Sequence, residues 1–380
     1  MEQYLNDHHQ IMSRAIELAR KGVFTVSPNP MVGCVIMADN RVVGEGWHVQ
    51  AGGDHAEIAA LREAGDEALG ACAYVTLEPC VHQGRTGPCV DAIIKSGLSH
   101  VIVACTDPNP KVAGAGITAL RDAGIEVTVG ILEQQARDLN RGFIKRHEFG
   151  TPWVTIKSAT SLDGRTAMSS GESKWITSPP ARADVQKMRA KSCAVITGIG
   201  TQKQDNPSLD VRLDYQQLGM AEALMDVPTR QPLRVVVDSR CQIATGAKIF
   251  ERRGQTLIAT TDGVSQRKRA DVLRSARVET HFFPDIDEKV DLESLLVHLA
   301  ERGCNNVMVE AGAVLAGAFV QQGLLDEIVL YCAPKLFGSN ARPMFDLPID
   351  TIDAHLALTV AEMCKIGEDI RVTLRPDKDY

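Results

Sequence analysis

Several features that mark other classes of protein are missing from this sequence. No stretch approaches the roughly 20 uninterrupted apolar residues that span a bilayer, so no membrane-spanning segment is expected. Basic residues are not in excess, because the formal net charge is −7. That balance gives no support for nucleic-acid binding, although a local basic patch would be hidden in the total. Internal repeats and low-complexity tracts are also missing, and a small-molecule substrate is the expected partner.

The beginning of the chain lacks the apolar core of a secretory signal. Glu2, Asp7 and two histidines occupy the segment 1–22, whose apolar residues follow the period of an amphipathic helix. A cytoplasmic location is therefore expected. In such a reducing compartment, cysteines in apolar surroundings are expected as buried thiols rather than disulfides. Five of the ten cysteines have such surroundings: Cys34, Cys72, Cys105, Cys193 and Cys332.

The length and the order of segments predict two α/β domains. At roughly 100–200 residues per domain, a chain of 380 residues is long enough for two. Strand-like and helix-like segments alternate in both halves, which indicates a sheet with helices on its faces in each. Thr151-Pro152 opens a new strand after a helical stretch. We place the boundary near 146–151 and predict domains at 1–148 and 149–380.

Five segments matter for the candidate sites. A helix is predicted over 55–65, and a strand over 73–80 that ends at Cys80. One helical stretch is predicted over 132–150. In the second half, the stretch 202–231 is polar and irregular, and a buried strand is predicted over 306–310, leading into a glycine-containing helix.

A histidine, a glutamate and two cysteines form the strongest motif of the first half. His55 and Glu57 stand at the start of the predicted helix, and Cys80 follows Pro79. This order matches the H-x-E and P-C-x-x-C signature of zinc deaminases. However, eight residues separate Cys80 from Cys89, where that signature has two. His55 and Cys80 are expected at helix starts, where the helix dipole favours a thiolate.

These residue types suit a catalytic zinc ion. One imidazole and two thiolates leave the fourth tetrahedral position to water, and the metal lowers the pKa of that water. Glu57 would then carry protons between the water, the ring and the departing ammonia. A purely structural zinc site would need a fourth protein ligand. His48 and His82 are the candidates for it, so this alternative stays open.

Glycine-containing segments of the second half suggest phosphate binding without proving it. The strand over 306–310 ends at Glu310 and is followed by Gly312 and a helix start, whose N–H groups could meet a phosphate. The same residues are equally typical of a tightly packed turn between the strand and the helix, without a ligand. Asp205 and Arg212 are expected in a loop after a glycine-rich strand end. In the first half, Gly114 to Ala119 imitates a dinucleotide fingerprint, but no strand directly precedes it, so a helix entry is expected.

Motifs across nearly the whole chain resemble those of one family. They are TLEPCVHQGRTGPC, DPNPKVAGAG, LNRGFIKR, SLDGRTAMSSGESKWITS, VEAGAVLAGAF and APKLFGS. Together they resemble the bifunctional deaminase–reductases of riboflavin biosynthesis, in which the long spacing between the cysteines is usual. The resemblance implies a cytidine-deaminase-like domain followed by a dihydrofolate-reductase-like domain. It also implies a zinc-dependent deamination of 2,5-diamino-6-ribosylamino-4(3H)-pyrimidinone 5′-phosphate, then a reduction of the ribosyl group to ribityl by NADPH.

The resemblance also assigns roles to individual residues. His55, Cys80 and Cys89 would be the zinc ligands, and Glu57 the catalytic proton carrier. NADPH would contact Ala159, Trp175, Thr201, Asp205, Ser239 and the run Gly312, Ala313, Val314, Leu315, Ala316, Gly317 and Ala318. The substrate of the reduction would contact Ser173, Arg189, Leu209, Arg212 and Glu310. Lys157 is a further candidate near the reacting sugar.

The insert between the two cysteines is expected to hold the ribose phosphate of the first substrate. It must lie beside the metal, and with Asn29 it offers His82, Arg85 and Thr86 as contacts. Two alternatives remain open: a deaminase of another base fused to a reductase, or a zinc-stabilised binding module. A binding module has no need of Glu57. The sequence also permits a homo-oligomer without fixing one.

Overall fold

The chain divides into two compact units, Met1–Thr151 and Pro152–Tyr380. The structure, a computed structural model, describes residues 2–81, 87–220, 224, 227–276 and 278–377. None of the described helices is both long enough and apolar enough to cross a bilayer. Among the cysteines expected to be buried, Cys34, Cys105 and Cys193 are buried, whereas Cys72 and Cys332 are half-buried.

The first unit is a five-stranded sheet between two layers of helices. Its strands are β1 (Gly33–Ala38), β2 (Arg41–Trp47), β3 (Cys72–Val75), β4 (His100–Val103) and β5 (Glu126–Val129), and its helices are α1 (Glu2–Arg20), α2 (Ala56–Ala64), α3 (Cys89–Ser96), α4 (Ala115–Asp122), α5 (Glu133–Leu139) and α6 (Arg141–Phe149). The sheet order is β2-β1-β3-β4-β5. Strand β1 runs antiparallel to β2 and β3, while β3, β4 and β5 are parallel.

Alternating strand residues supply the two cores of this unit. Val101 and Val103 pack with α2 and α3, whereas Ile102 between them packs with α1 and α6. Two glycines of β2 allow α2 to lie directly on the sheet. A Cβ at Gly46 would stand 2.1 Å from the carbonyl oxygen of Ala56, closer than any side chain permits. The start of α2, where the candidate zinc site begins, is thereby fixed against the sheet.

Two predictions for this unit were wrong in detail. Strand β3 ends at Val75, so Cys80 lies in the following loop and not at a strand end or a helix start. The helical stretch 132–150 is two helices, broken at Asn140. The side-chain amide of Asn140 accepts from the Met31 N–H at 2.8 Å and donates to the Met31 carbonyl at 2.8 Å. Such a contact between distant parts of the sequence leaves no local trace. The helix entry at Gly114 is confirmed.

The second unit is built on a nine-stranded sheet. The strands of that sheet are β6 (Trp153–Ser161), β8 (Ala194–Gly198), β9 (Leu233–Val237), β10 (Thr256–Thr261), β11 (Glu279–Phe283), β14 (Asn306–Val309), β15 (Glu327–Ala333), β17 (Leu358–Ile366) and β18 (Asp369–Pro376). Two small two-stranded sheets pair β7 (Arg165–Ala167) with β16 (Arg342–Pro343) and β12 (Asp285–Ile286) with β13 (Lys289–Val290). Its helices are α7 (Pro179–Lys191), α8 (Ile199–Asp205), α9 (Val264–Ser275), α10 (Leu292–Glu301) and α11 (Ala313–Gln321). The predicted strand over 306–310 is confirmed as β14.

Seven parallel strands form the centre of this sheet. The order is β11-β10-β9-β8-β14-β6-β15-β18-β17, and only the last two strands run antiparallel to their neighbours. Helices α10 and α11 pack on one face, and α7 and α9 pack on the other. Because parallel strands end at one edge, the segments after β6, β8, β9 and β14 meet there. Ligands of open α/β sheets bind at this edge.

Candidate active sites

The three expected zinc ligands of the first unit come together. His55 directly precedes α2, Cys89 is the first residue of α3, and Cys80 lies in the loop after β3. Nδ1 of His55 is 3.2 Å from Sγ of Cys89 and 3.5 Å from Sγ of Cys80. All three ligand atoms lie within 4.8 Å of one another. One nitrogen and two sulfur donors at this separation fit a zinc ion and leave a fourth position open.

The electrostatics of this cluster favour a thiolate. A hydrogen bond from the Cys89 thiol, helped by His55 and by the Cys89 N–H at 3.4 Å, lowers the pKa of Cys80 to about 4. The same contact raises the pKa of the Cys89 thiol, and the bond to Cys80 raises the pKa of the His55 imidazole. The Cys80 thiol is therefore the one disposed to ionise, and a thiolate is the form that binds a cation.

Glu57 stands beside these ligands with one oxygen unsatisfied. The residue is in the first turn of α2 and is 4% exposed. Its Oε2 has no hydrogen-bond partner in the described part of the chain. Burial raises the pKa of Glu57 to about 7, against the opposing effects of its own backbone and of His55. A buried carboxylate oxygen without a partner is costly, so the position of Oε2 points to a ligand that is to be bound there.

His48 is not placed as a fourth ligand, because both of its ring nitrogens are occupied. Its Nδ1 is 2.8 Å from the Asp54 carbonyl oxygen, to which it donates. Its Nε2 accepts from the side-chain amide of Asn29 at 3.0 Å. The ring centroids of His48 and His55 are 5.3 Å apart, so Asn29 is held near the cluster. His82, Arg85 and Thr86 lie outside the described residues.

One buried glutamate of the cysteine motif has no role that its sequence context predicts. Glu78 is buried, and its carboxylate accepts four backbone N–H groups from residues 107–117. The signal that was available is a glutamate two residues before Cys80, followed by a glycine-rich loop further along the chain. Neither feature alone identifies the contact, because the loop follows the next strand.

In the second unit, four expected substrate residues gather near the end of β14. The Arg189 guanidinium on α7 donates two bonds to Glu310, from Nε to Oε1 at 2.6 Å and from the second nitrogen to Oε2 at 3.0 Å. Burial alone would raise the pKa of Glu310, but the charges of Arg189, Lys157 and Arg212 lower it. Burial lowers the pKa of Lys157. Arg189, Lys157 and Arg212 therefore all lie within electrostatic reach of the Glu310 carboxylate.

The expected cofactor residues after β8 and β14 also meet. A Cβ at Gly312 would lie 4.0 Å from the Thr201 hydroxyl, and a Cβ at Gly198 would lie 3.3 Å from Leu315. Asp205 ends helix α8 instead of lying in a loop, as had been expected, because the stretch 199–205 is helical. Its carboxylate accepts from the Ser173 hydroxyl at 3.4 Å. The segments that carry Thr201, Ser173 and Gly312 thus surround one edge of the sheet.

The remaining candidates have unequal access to a ligand. Trp175 is 65% exposed, and the Arg182 guanidinium lies 4.4 Å from its ring centroid. Ser239 follows β9, and Ala159 lies in β6 opposite Tyr331. Leu209 is buried in the core. Within the 312–318 run, Gly312 and Val314 are exposed, Ala313, Leu315 and Ala318 are half-buried, and Ala316 and Gly317 are buried. The first turn of α11 is therefore the part open to a cofactor.

Comparison with known proteins identifies the family. The profile of the RibD C-terminal domain matches residues 152–372. The profile of the cytidine and deoxycytidylate deaminase zinc-binding region matches residues 5–105. The riboflavin biosynthesis protein RibD of Escherichia coli strain K12 is 48% identical over 364 residues, which is 94% of this chain and 96% of the relative.

Solved structures agree over both units. RibD of Acinetobacter baumannii, form 1, has a TM-score of 0.89 and 43% identity and covers 98% of this chain and 100% of its own. A Thermotoga maritima protein, described as a diaminohydroxyphosphoribosylaminopyrimidine deaminase/5-amino-6-(5-phosphoribosylamino)uracil reductase, has a TM-score of 0.83 and 33% identity over 98% of this chain and 99% of its own. The units have cytidine-deaminase-like and dihydrofolate-reductase-like folds, and the chain belongs to the RibD family of bifunctional deaminase–reductases of riboflavin biosynthesis.

Proposed function

We propose that residues 1–148 deaminate 2,5-diamino-6-ribosylamino-4(3H)-pyrimidinone 5′-phosphate and that residues 149–380 then reduce its ribosyl group with NADPH. The observation that carries the first half is the cluster of His55, Cys80 and Cys89 within 4.8 Å, with the unsatisfied Oε2 of Glu57 beside it. A structural zinc site would leave that buried carboxylate without a purpose.

His55, Cys80 and Cys89 would hold the zinc ion. Bound there, zinc supplies a Lewis acid that makes water a nucleophile at neutral pH. Glu57 would accept one proton from the attacking water through its unsatisfied Oε2 and pass it to the ring nitrogen. It would then carry the second proton of that water to the amino group, which leaves as ammonia. A pKa of about 7 suits a group that must do both. Asn29, held by His48, would orient the substrate.

The second unit would bind NADPH along the carboxyl ends of its central strands. NADPH supplies the hydride. The first turn of α11, together with Thr201 in the first turn of α8 and Ser239 after β9, would present N–H and hydroxyl groups to its phosphates and ribose. The charged group of Lys157, Arg189, Arg212 and Glu310 then orients the sugar phosphate, since a guanidinium fork matches phosphate oxygens.

A coupled assay on the full chain tests this proposal. Ammonia release and NADPH oxidation are followed together with the diaminopyrimidinone ribosylamine phosphate as substrate. NADPH consumption that begins only after ammonia appears is the expected result, because the second reaction uses the product of the first. Ammonia release without NADPH oxidation would remove the reductase half of the proposal. If the zinc-loaded chain catalyses neither reaction, the proposed substrate is wrong.

A further inference from the structure

Glu78 binds the backbone of a distant loop through both of its carboxylate oxygens. Oε2 accepts from the N–H of Asp107 at 3.1 Å and of Gly114 at 2.9 Å. Oε1 accepts from the N–H of Gly116 at 2.8 Å and of Ile117 at 3.2 Å. The residue is 3% exposed. Hydrogen bonds to a buried carboxylate are among the strong ones, since the acceptor is charged.

This carboxylate takes the place of a missing helix cap. Helix α4 begins at Ala115 after Gly114, which has no side chain to accept the first N–H groups. The Ala115 N–H is satisfied by the Val112 carbonyl at 2.7 Å. Glu78 accepts from the residues on either side, where the positive end of the helix dipole favours an anion. The beginning of α4 is therefore fastened to the segment that carries Cys80.

Main-chain contacts hold the same two segments together. The Glu78 N–H donates to the Cys105 carbonyl at 3.0 Å. A Cβ at Gly116 would stand 2.2 Å from the Pro79 carbonyl oxygen, so the loop backbone lies directly against the peptide before Cys80. The segment is also joined to α3, because the Cys80 carbonyl accepts from the Val90 N–H at 3.3 Å.

From this arrangement we infer that Glu78 is a positioning residue of the deaminase site, which fixes the Cys80 sulfur by clamping the 107–117 loop against Pro79. The inference rests on the proposed deaminase function. Glu78 does not contact the cluster itself; it acts through the main chain of residues 78–80. Residues that orient metal ligands from outside typically change metal affinity or activity by about 10–100-fold when they are replaced.

The test compares E78Q and E78D with the unchanged full chain. The glutamine places an N–H₂ group against two N–H donors, whereas the aspartate keeps the charge on a shorter stem. Zinc affinity is measured by competition with a chelating dye, and kcat and KM for ammonia release are measured at saturating zinc. We expect E78Q to lose roughly 10–100-fold in zinc affinity or in kcat, and E78D to keep part of what E78Q loses.

Two controls separate positioning from simple loss of stability. Glu63, on the exposed side of α2, also accepts a backbone N–H, that of Glu45 at 2.7 Å, and E63Q should leave both quantities unchanged. NADPH oxidation with the deaminated substrate reports whether the second unit is intact. If E78Q is less stable to heat but keeps the zinc affinity and kcat of the unchanged chain, Glu78 is only a cap and the inference is overturned.

The absorption spectrum of the cobalt(II)-substituted chain gives a further test, because a residue that only caps α4 would not affect it. Thiolate-to-cobalt absorption depends on how the cysteine sulfurs surround the metal, so E78Q should shift it and E63Q should not. Should E78Q not fold, the same measurements on E78D decide the question, and an unchanged E78D spectrum and zinc affinity would overturn the inference. Zinc affinity needs no substrate, so this result stays separate from a failure of the proposed deamination.

Discussion

Arg189 and Glu310 form a two-bond ion pair that is nearly closed to solvent. The bonds measure 2.6 and 3.0 Å, and the two side chains are 12% and 11% exposed. A third donor of Arg189 bonds the Asp210 carbonyl at 3.2 Å. Burying such a pair costs much of what its attraction returns. Its location at the carboxyl ends of parallel strands is therefore explained better by ligand binding than by stability.

The first prediction concerns this pair. In R189K the ammonium cannot make both bonds to Glu310, because only a guanidinium has the planar fork. We expect kcat/KM for the reduction to fall roughly 10–100-fold, which corresponds to about 1.4–2.7 kcal/mol, with ammonia release unchanged. NADPH oxidation with the deaminated substrate measures the effect.

A matched substitution at the opposite edge of the sheet controls for R189K. Arg302 pairs with Glu279, the first residue of β11, so R302K changes an arginine–glutamate pair at the amino ends of the strands. The reduction should be unaffected in R302K. Equal losses in the two variants would show that the Arg189 effect is one of stability and would remove its role at the site.

The second prediction concerns the proton carrier. E57Q keeps the size of the side chain but can neither accept nor return a proton. We expect ammonia release to fall by at least about 100-fold, in line with the usual contribution of general acid–base groups, while zinc content and NADPH oxidation with the deaminated substrate stay unchanged. E63Q, on the same helix, is the control. Retained ammonia release in E57Q would refute the role of Glu57.

The third prediction concerns metal removal. Dialysis against a strong chelator should abolish ammonia release. His55, Cys80 and Cys89 are the three protein ligands of the proposed zinc ion, and the nucleophilic water needs the metal in order to ionise. The reduction should continue, because its residues lie in the other unit. Added zinc should restore ammonia release. Loss of both activities on chelation, restored together by zinc, would mean that the metal also supports the second unit.

The candidate zinc site was predictable from sequence because its members lie in three short segments with a known motif. His55 and Glu57 share one helix turn, and Cys80 and Cys89 are close in the chain. The contact of Asn140 with Met31 was not predictable, because 109 residues separate the partners. The contact of Glu78 with the 107–117 loop was also not predictable. Its four donors are main-chain N–H groups far along the chain, and main-chain groups carry no sequence signal.

Three elements of the second unit were missed for a different reason. Helix α7 carries Arg189, yet its apolar residues are few, so its period is weak; Ser178 followed by two prolines was the available start signal. Strand β17 is exposed along almost its whole length. Because neither of its faces is buried, its sequence does not need the alternation of apolar and polar residues by which a strand is recognised. Helix α9 is likewise mostly polar, with Ala270 and Leu273 as its buried residues.

The last prediction concerns acid stability. The Asp163 carboxylate accepts from the Ser161 hydroxyl at 2.5 Å and from the N–H groups of Phe337 and Gly338 at 3.1 and 2.8 Å. These bonds, that of Ser161 first, lower the pKa of Asp163 to about 2 from its ordinary 3.8. The same segment carries Lys335, whose ammonium donates to the Trp175 carbonyl at 3.1 Å.

A lowered carboxyl pKa stabilises the folded state at pH values above the ordinary pKa, and this contribution disappears as the pH falls through the folded value. The urea midpoint of D163N should therefore lie below that of the unchanged chain at neutral pH, and the difference should shrink between about pH 4 and pH 2. D271N is the control, since Asp271 is an exposed helix residue paired with Arg274. A difference that stays constant down to pH 2 would show that the Asp163 charge does not hold the 335–338 segment.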